Sequence, residues 1–490
     1  MKKTMKKIRI IPRLDVKGEN VVKGIQLEGL RVVGKPEELA AKYCREGADE
    51  LIYMDVVASL YSRDSLLHIV EKATETDVFV PVTVGGGIRS LEDINKTLRA
   101  GADKVAINTA AIKNPELLKT ASRMFGSSTI VLSVEAKKIS DGKWEAYIDN
   151  GREKTGRDVI DWVKEAIKLG AGEVFLTSID HDGMRKGFDL ELIRAVSEIS
   201  TVPVIASGGA GTIEQIEECI KNSNIDGVSL ASQLHYNKIS LAALREELFK
   251  KFGGRIKVKH AKNINLNYNN TASVSIIDYG LGNLRSVKNA FQKIGAKVEF
   301  VTTPEGILNS ELLVLPGVGS FEEGMRNLKR NNLNLAIINY ALSKKPILGI
   351  CLGMQLFMTK SYEFGTHQGL NIIEGEVLPF NENLSIAKEG YKIPHVGWNS
   401  VSVSTSQEDS ILSNLDANED AYFVHSFFVK PQNKENILAT TEYFGQEFSS
   451  AVRKGNVFGC QFHPEKSGNM GLSILSDFIK LNKKESLLNA

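Results

Sequence analysis

From residue 8 onward, short apolar runs alternate with amphipathic stretches, one pair roughly every thirty residues. The runs Ile8–Val16, Glu50–Val56, Val78–Val84, Lys104–Asn108, Thr129–Glu135, Glu173–Ser178, Val202–Ser207 and Gly227–Ala231 read as strands, because each is brief and bounded by turn residues. Pro36–Glu46, Leu91–Ala100 and Asp158–Leu169 carry apolar side chains at helical spacing and read as helices. Eight strand–helix units in about 250 residues predict a (β/α)8 TIM barrel. A doubly wound open sheet is the alternative, but evenly spaced units without a dinucleotide fingerprint count against it. An internal repeat supports the barrel. Gly47-Ala-Asp-Glu50 echoes Gly170-Ala-Gly-Glu173, and Gly85-Gly-Gly-Ile88 echoes Ser207-Gly-Gly-Ala210. The offset of about 120 residues is that of a duplicated half-barrel.

After Gly253 the period is lost and the chain turns polar as far as Asn270, so this stretch reads as a tether. The division expected is a barrel over 1–258, a linker over 259–272 and a second α/β domain over 273–490. Tethering would raise the effective concentration of one domain for the other. Formal net charge is +2, with 61 basic against 59 acidic residues, so no polyanion partner is suggested, neither nucleic acid nor a membrane surface. The four cysteines are far apart, which argues against a disulfide framework and against a zinc site. No run approaches transmembrane length and no signal-peptide core follows the basic first residues, so the expected location is the cytoplasm.

Barrel chemistry belongs at the C-terminal ends of the strands. There, Gly85–Gly87 with Asn108 and Thr109 would form one nest of backbone amides and a hydroxyl. Gly208 and Gly209 with Ala231 and Ser232, near Gly183, would form a second. Two such cradles facing each other suit an elongated substrate carrying a phosphate at each end. Asp15, Asp55, Glu135 and Asp182 occupy the same rim. Asp15 and Glu135 hold corresponding places in the two halves, so one can serve as acid and the other as base if their surroundings separate them.

In the second half, Pro346-Ile-Leu-Gly-Ile-Cys351-Leu-Gly-Met-Gln355 reads as a strand turning sharply into a helix, with Cys351 at the corner. Such an elbow lifts a nucleophile above the sheet and aims a backbone N–H, here that of Leu352, at a developing oxyanion. The helix start would favour the thiolate. His463 and Glu465, two apart in Phe462-His-Pro-Glu-Lys466, point to one side, where the carboxylate can orient the imidazole and the imidazole can take the thiol proton.

These motifs, with Asp278-Tyr-Gly-Leu-Gly-Asn-Leu284, Pro316-Gly-Val-Gly319, Pro394-His-Val-Gly-Trp-Asn399 and Tyr422-Phe-Val-His-Ser426, resemble the class I glutamine amidotransferases, in particular the glutaminases of imidazole glycerol phosphate synthases. The resemblance implies an open α/β sheet and hydrolysis of glutamine by Cys351, His463 and Glu465. It also implies a second oxyanion donor from the loop holding Gly317, and glutamine positioned by Gln355, His425 and Ser426.

Arg9-Ile-Ile-Pro-Arg-Leu-Asp-Val-Lys17, Val21-Val-Lys-Gly24, Thr83-Val-Gly-Gly-Gly-Ile-Arg89, Gly101-Ala-Asp-Lys-Val-Ala-Ile-Asn-Thr-Ala110, Leu176-Thr-Ser-Ile-Asp-His-Asp-Gly183 and Ile205-Ala-Ser-Gly-Gly-Ala-Gly211 resemble the cyclase subunits of the same family. That likeness places Asp15 and Glu135 at the catalytic carboxylates, and Lys23 on a mobile loop that closes over substrate. Thr177, Asp182, Gly183, Gly87, Gly209 and the nest residues would contact it. It implies a bis-phosphorylated ribulosyl imidazole-carboxamide acceptor, a glutaminase docked on the N-terminal face, and ammonia passing along the barrel axis. Arg9, Glu50, Lys104 and Glu173 match the family's gate of alternating charges. No metal or organic cofactor is implied.

Two positions depart from the cyclases. Arg13 stands where they have cysteine, and Glu135 where they have aspartate. Arg13 shares parity with Asp15, so it should hold that carboxylate ionised or bind an anionic substrate group. The extra methylene of Glu135 exceeds the positional tolerance of about 0.5 Å expected at a preorganised site. These changes resemble the paralogous pairs that supply ammonia for sugar amidation in surface polysaccharides.

Overall fold

The computed structural model describes residues 6–57, 64–75, 78–257, 272–380, 390–404, 410–416 and 419–488. The first domain is a closed barrel of eight parallel strands: Arg9–Lys17, Leu51–Asp55, Val82–Gly85, Lys104–Ile107, Ile130–Ser140, Glu173–Ser178, Val204–Ser207 and Gly227–Leu230. Each pairs with its sequence neighbour, and the first closes on the eighth through Arg9↔Gly227 and Ile10↔Val228. The first and fifth strands therefore stand opposite one another, as the repeat predicts.

Boundaries differ from the expectation in instructive places. The third strand begins at Val82, not Val78, since Pro81 lacks the N–H that would carry the ladder further back. The first and fifth strands run past the rim into antiparallel hairpins, with Asn20–Ile25 and Glu28–Gly34 in one case and Lys143–Ile148 and Glu153–Asp158 in the other. The eight-unit pattern did not show these excursions, because their alternation continues that of the strand before them. The helices Pro36–Glu46, Leu91–Arg99 and Val159–Lys168 lie where they were expected.

Inward-facing positions along the barrel axis form layers. Arg9, Glu50, Lys104 and Glu173 make a charged floor, all within 1% exposure. Above them Ile11, Ile52, Met54, Ala106, Val131, Phe175 and Ile205 form an apolar layer. Arg13, Asp15 and Glu135 come next, at the mouth.

The second domain is built on five parallel strands in the order Lys297–Val301, Ser273–Ile277, Leu312–Leu315, Ile347–Ile350 and Val457–Cys460, extended on one side by antiparallel strands. It docks on the N-terminal face of the barrel. Asn283 Nδ2 donates to Gly101 O and Asp103 Oδ1 at 2.8 and 2.9 Å, and Lys466 Nζ meets Asp103 Oδ2 at 2.8 Å. Trp398 Nε1 donates to Asp49 O, Lys392 pairs with Asp226, and Arg99 holds Asp278 with both arms. Val396, Trp398, Tyr422 and Val424 are buried in the barrel's own apolar cluster, so the interface has a core. Nearly all of the linker expected over 259–272 lies outside the described residues. No helix among the described residues is long and apolar enough to cross a membrane.

Candidate active site

The central strand Ile347–Ile350 pairs with Leu312–Leu315 on one side and Val457–Cys460 on the other, with Ile350 opposite Cys460. Parallel neighbours end together, so the residues after each strand meet above the same edge of the sheet. This register is why Cys351 and His463, more than a hundred positions apart, share a site. Cys351 is held at φ +52° and ψ −106°, a strained conformation for a residue with a Cβ. The tightness of the corner shows at Gly353, where an added Cβ would lie 1.8 Å from Leu315 O.

His463 Nδ1 lies 2.8 Å from Glu465 Oε1, and its buried Nε2 has no nitrogen or oxygen partner and meets the Cys351 thiol. Burial works to lower the imidazole, but Glu465 and the Cys351 sulfur overcome it and raise it well above its ordinary range. Both neighbours favour the protonated ring. The helix that follows Cys351 spans only Leu352–Leu356, so its dipole adds less to thiolate stability than the sequence suggested.

The loop at Gly317 packs against the elbow; a Cβ there would lie 2.7 Å from Leu352 Cβ. Gln355 Nε2 donates to Phe427 O at 3.0 Å and to Gln461 Oε1 at 3.3 Å. His425 has both ring nitrogens engaged, Nε2 with His395 and Nδ1 with Phe427 O, and burial lowers its ring to about 3. Ser426 Oγ is 3.2 Å from Ser127 Oγ of the barrel. Ser320 N donates to Met124 O, so the barrel touches both flanks of the thiol site.

The four floor residues form an alternating ring. Arg9 Nη1 is 2.8 Å from Glu50, Lys104 Nζ is 2.7 Å from Glu50, and both cations also pair with Glu173. Two charges of each sign cancel where water is excluded. Tyr422 joins the two sites: its carbonyl accepts from His463 N, and its buried hydroxyl lies within the field of Arg9, Glu50 and Glu173.

At the mouth, Asp15 is bound on both oxygens, by Arg13 Nε at 2.6 Å and Lys23 Nζ at 3.1 Å. Burial works to raise the Asp15 carboxyl, yet Arg13 and Lys23 hold it down at about 2. Burial pushes Glu135 up to about 7, against the pull of Arg13 and of the Gly151 N–H. Glu135 Oε2 accepts from Gly151 N and from Asn108 Nδ2 at 2.8 and 3.0 Å. The two carboxylates are thus separated by environment.

Lys23, expected on a mobile loop, sits on the strand Asn20–Ile25, only 3% exposed, and bridges Asp15 to Asp182. Gly183 lets this hairpin approach, since a Cβ there would lie 2.5 Å from Gly24 O. Arg13 Nη1 reaches Thr177 and Ser207, and its guanidinium lies over the Phe175 ring.

Gly86, Gly87, Asn108, Thr109, Asp55 and Glu135 help to line a cavity of about 500 Å³. Gly183, Gly208, Gly209, Ala231 and Ser232 line a much smaller one, with Arg13 and Lys23 in its wall. One glycine nest thus opens into the larger cavity beside Glu135, the other into the smaller one beside Arg13.

Three groups were not anticipated. Gln461 contacts the Cys351 sulfur. Glu363, which burial pushes up to about 7, accepts from Phe321 N just after the Gly317 loop. Asp103 gathers both Asn283 and Lys466 across the interface. Asn283, Trp398 and Lys466 lie inside recognised motifs, but nothing in a linear motif says which members face another domain.

Comparison with known proteins adds the following. A family model described as "Histidine biosynthesis protein" matches residues 9–240, and one described as "Glutamine amidotransferase class-I" matches residues 275–481. The chain is 60% identical over 211 residues to "Imidazole glycerol phosphate synthase subunit HisF" of Legionella pneumophila, covering 43% of this chain and 99% of that protein. Proteins of the same name from Streptococcus sanguinis and Natranaerobius thermophilus are 48% and 49% identical over 244 and 243 residues, each covering 50% of this chain and 96% of the relative.

Proposed function

The chain belongs to the family of imidazole glycerol phosphate synthase cyclase barrels, here continuous with a class I glutamine amidotransferase domain, and on that premise we propose how its two halves divide the reaction. It is a glutamine-dependent enzyme of the imidazole glycerol phosphate synthase type. Cys351 attacks the side-chain amide of glutamine; His463, held by Glu465, protonates the departing ammonia and then activates water against the thioester. Leu352 N–H and an N–H of the Gly317 loop stabilise the oxyanion. Glutamate leaves, and ammonia enters the barrel past Tyr422 and the ring of Arg9, Glu50, Lys104 and Glu173. The ring is closed at rest, so one ion pair must part for each passage.

The acceptor lies across the mouth with a phosphate in each glycine nest. Asp15, ionised in the resting site, acts as the base, and Glu135, near half-protonated at neutral pH, acts as the acid. The observation that carries this reading is the stacking of a thiol–imidazole–carboxylate site, a neutralised charge ring and two differently poised carboxylates along one axis. The test is to supply glutamine and the phosphoribulosyl imidazole-carboxamide acceptor, and to follow glutamate and imidazole glycerol phosphate together. Equal yields support the reading, and loss of both on Cys351→Ala with retention of the ammonia-driven reaction locates the thiol's role.

One observation favours a second reading. Arg13 engages Asp15 so tightly that a barrel which only delivers ammonia, as for amidation of a sugar in a surface polysaccharide, would tolerate the pair. Ammonia and the acceptor yielding no imidazole glycerol phosphate would select that reading.

A further inference from the structure

We propose that Gln461 is a positioning residue for the nucleophile, its side-chain amide donating a hydrogen bond to the Cys351 sulfur from the side not occupied by His463. The inference rests on Cys351 being the nucleophile and deepens that reading. Gln461 is fully buried, with Nε2 3.6 Å from Sγ, ordinary for an N–H to sulfur contact. It shares parity with His463 and Glu465 beyond the end of the strand Val457–Cys460. Phe462, between Gln461 and His463, enters the apolar core, while the short 3-10 turn Pro464–Lys466 brings Glu465 back onto His463 Nδ1.

Which end of the amide faces the sulfur is fixed by a chain of partners. Phe427 O is a carbonyl and only accepts, so the Gln355 atom facing it is the NH2 group. The second hydrogen of that NH2 meets the Gln461 carbonyl. Only the Gln461 NH2 is left to face Sγ. The same Phe427 O accepts from His425 Nδ1, the His425 Nε2 accepts a hydrogen bond from His395 Nδ1, and His395 Nε2 accepts from Asn399. Burial keeps both of these rings neutral, so each tautomer in the chain is single-valued. The sulfur thus has a cation on one side and a neutral donor on the other. Both stabilise negative charge on sulfur before attack, and the donor fixes where that charge sits.

The test uses the full-length protein with Gln461→Met, which fills the volume without a donor, and Gln461→Glu, which is isosteric but places an acceptor against the sulfur. Alkylation of Cys351 by iodoacetamide is followed against pH, alongside glutamine hydrolysis. In Gln461→Met the half-maximal pH of alkylation should rise by about one unit and kcat should fall about tenfold, with KM within about threefold. Gln461→Glu should shift alkylation further in the same direction above neutral pH. An alkylation profile unchanged in both variants overturns the proposal, whether or not kcat falls, because a merely structural role would leave the sulfur's response to pH where it was. Cys351→Ala in parallel separates the two failures: retained hydrolysis there would remove the nucleophile assignment itself.

Discussion

Arg13 Nε lies 2.6 Å from Asp15 Oδ1, both side chains about 3% exposed, at the point where the barrel's apolar interior opens into its mouth. An ion pair at such depth is costly to form and costlier to break from one side. Asp15 at about 2 in the folded chain, against an ordinary 3.8, contributes about 2 kcal/mol that is present above about pH 4 and lost as pH falls toward 2. Arg13→Met, which leaves only Lys23 on Asp15, should narrow that window and lower the stability of the barrel by about 3 to 5 kcal/mol at neutral pH. Thermal midpoints of the two proteins between pH 2 and 7 check this. A parallel fall of both across the acid range would show that Arg13 does not hold Asp15.

In the proposed mechanism Glu135 governs the pH profile of the barrel reaction. With its carboxyl raised to about 7 and acting as the acid, kcat measured at a fixed concentration of free ammonia should decline as pH rises through about 7. Glu135→Gln should lose on the order of 100-fold in rate and also the inflection. An inflection that survives the substitution assigns the proton to another group.

In the proposed mechanism the ring at the floor sets coupling. Lys104 touches both Glu50 and Glu173, so Lys104→Met leaves two buried carboxylates sharing Arg9. Glutamate should then form at about twice the rate of acceptor product or more, with about 3 to 5 kcal/mol lost from stability. The product ratio in a single assay decides; a ratio held at one removes the gate.

Asn283 tests the docking. Its Nδ2 is the donor for Gly101 O, Ala102 O and Asp103 Oδ1. Asn283→Ala leaves those acceptors without it, at a cost of about 1 to 3 kcal/mol. Calorimetry should show the glutaminase transition separating from that of the barrel. Ammonia should escape to solvent even with the thiol site intact, and a trapping assay for free ammonia reads this directly.

Much of this protein is written in local pattern. The barrel follows from eight repeated strand–helix units, because a parallel strand needs a crossover and its neighbour to satisfy its backbone. The thiol site follows from Cys351 at a glycine-flanked corner and from the two-residue spacing of His463 and Glu465, both short-range rules. Even the Arg13–Asp15 pairing was legible, since residues two apart on a strand face one way. Gln461 stands two residues before His463, yet its part in the site needs the register of Ile350 with Cys460 and an amide orientation set by Phe427 O. Lys23 was expected on a moving loop, and only the hairpin that brings it onto Asp15 and Asp182 shows where it sits. The separation of Asp15 from Glu135 could not be read either, because burial and the position of neighbouring charges set it, and both are properties of the packed chain.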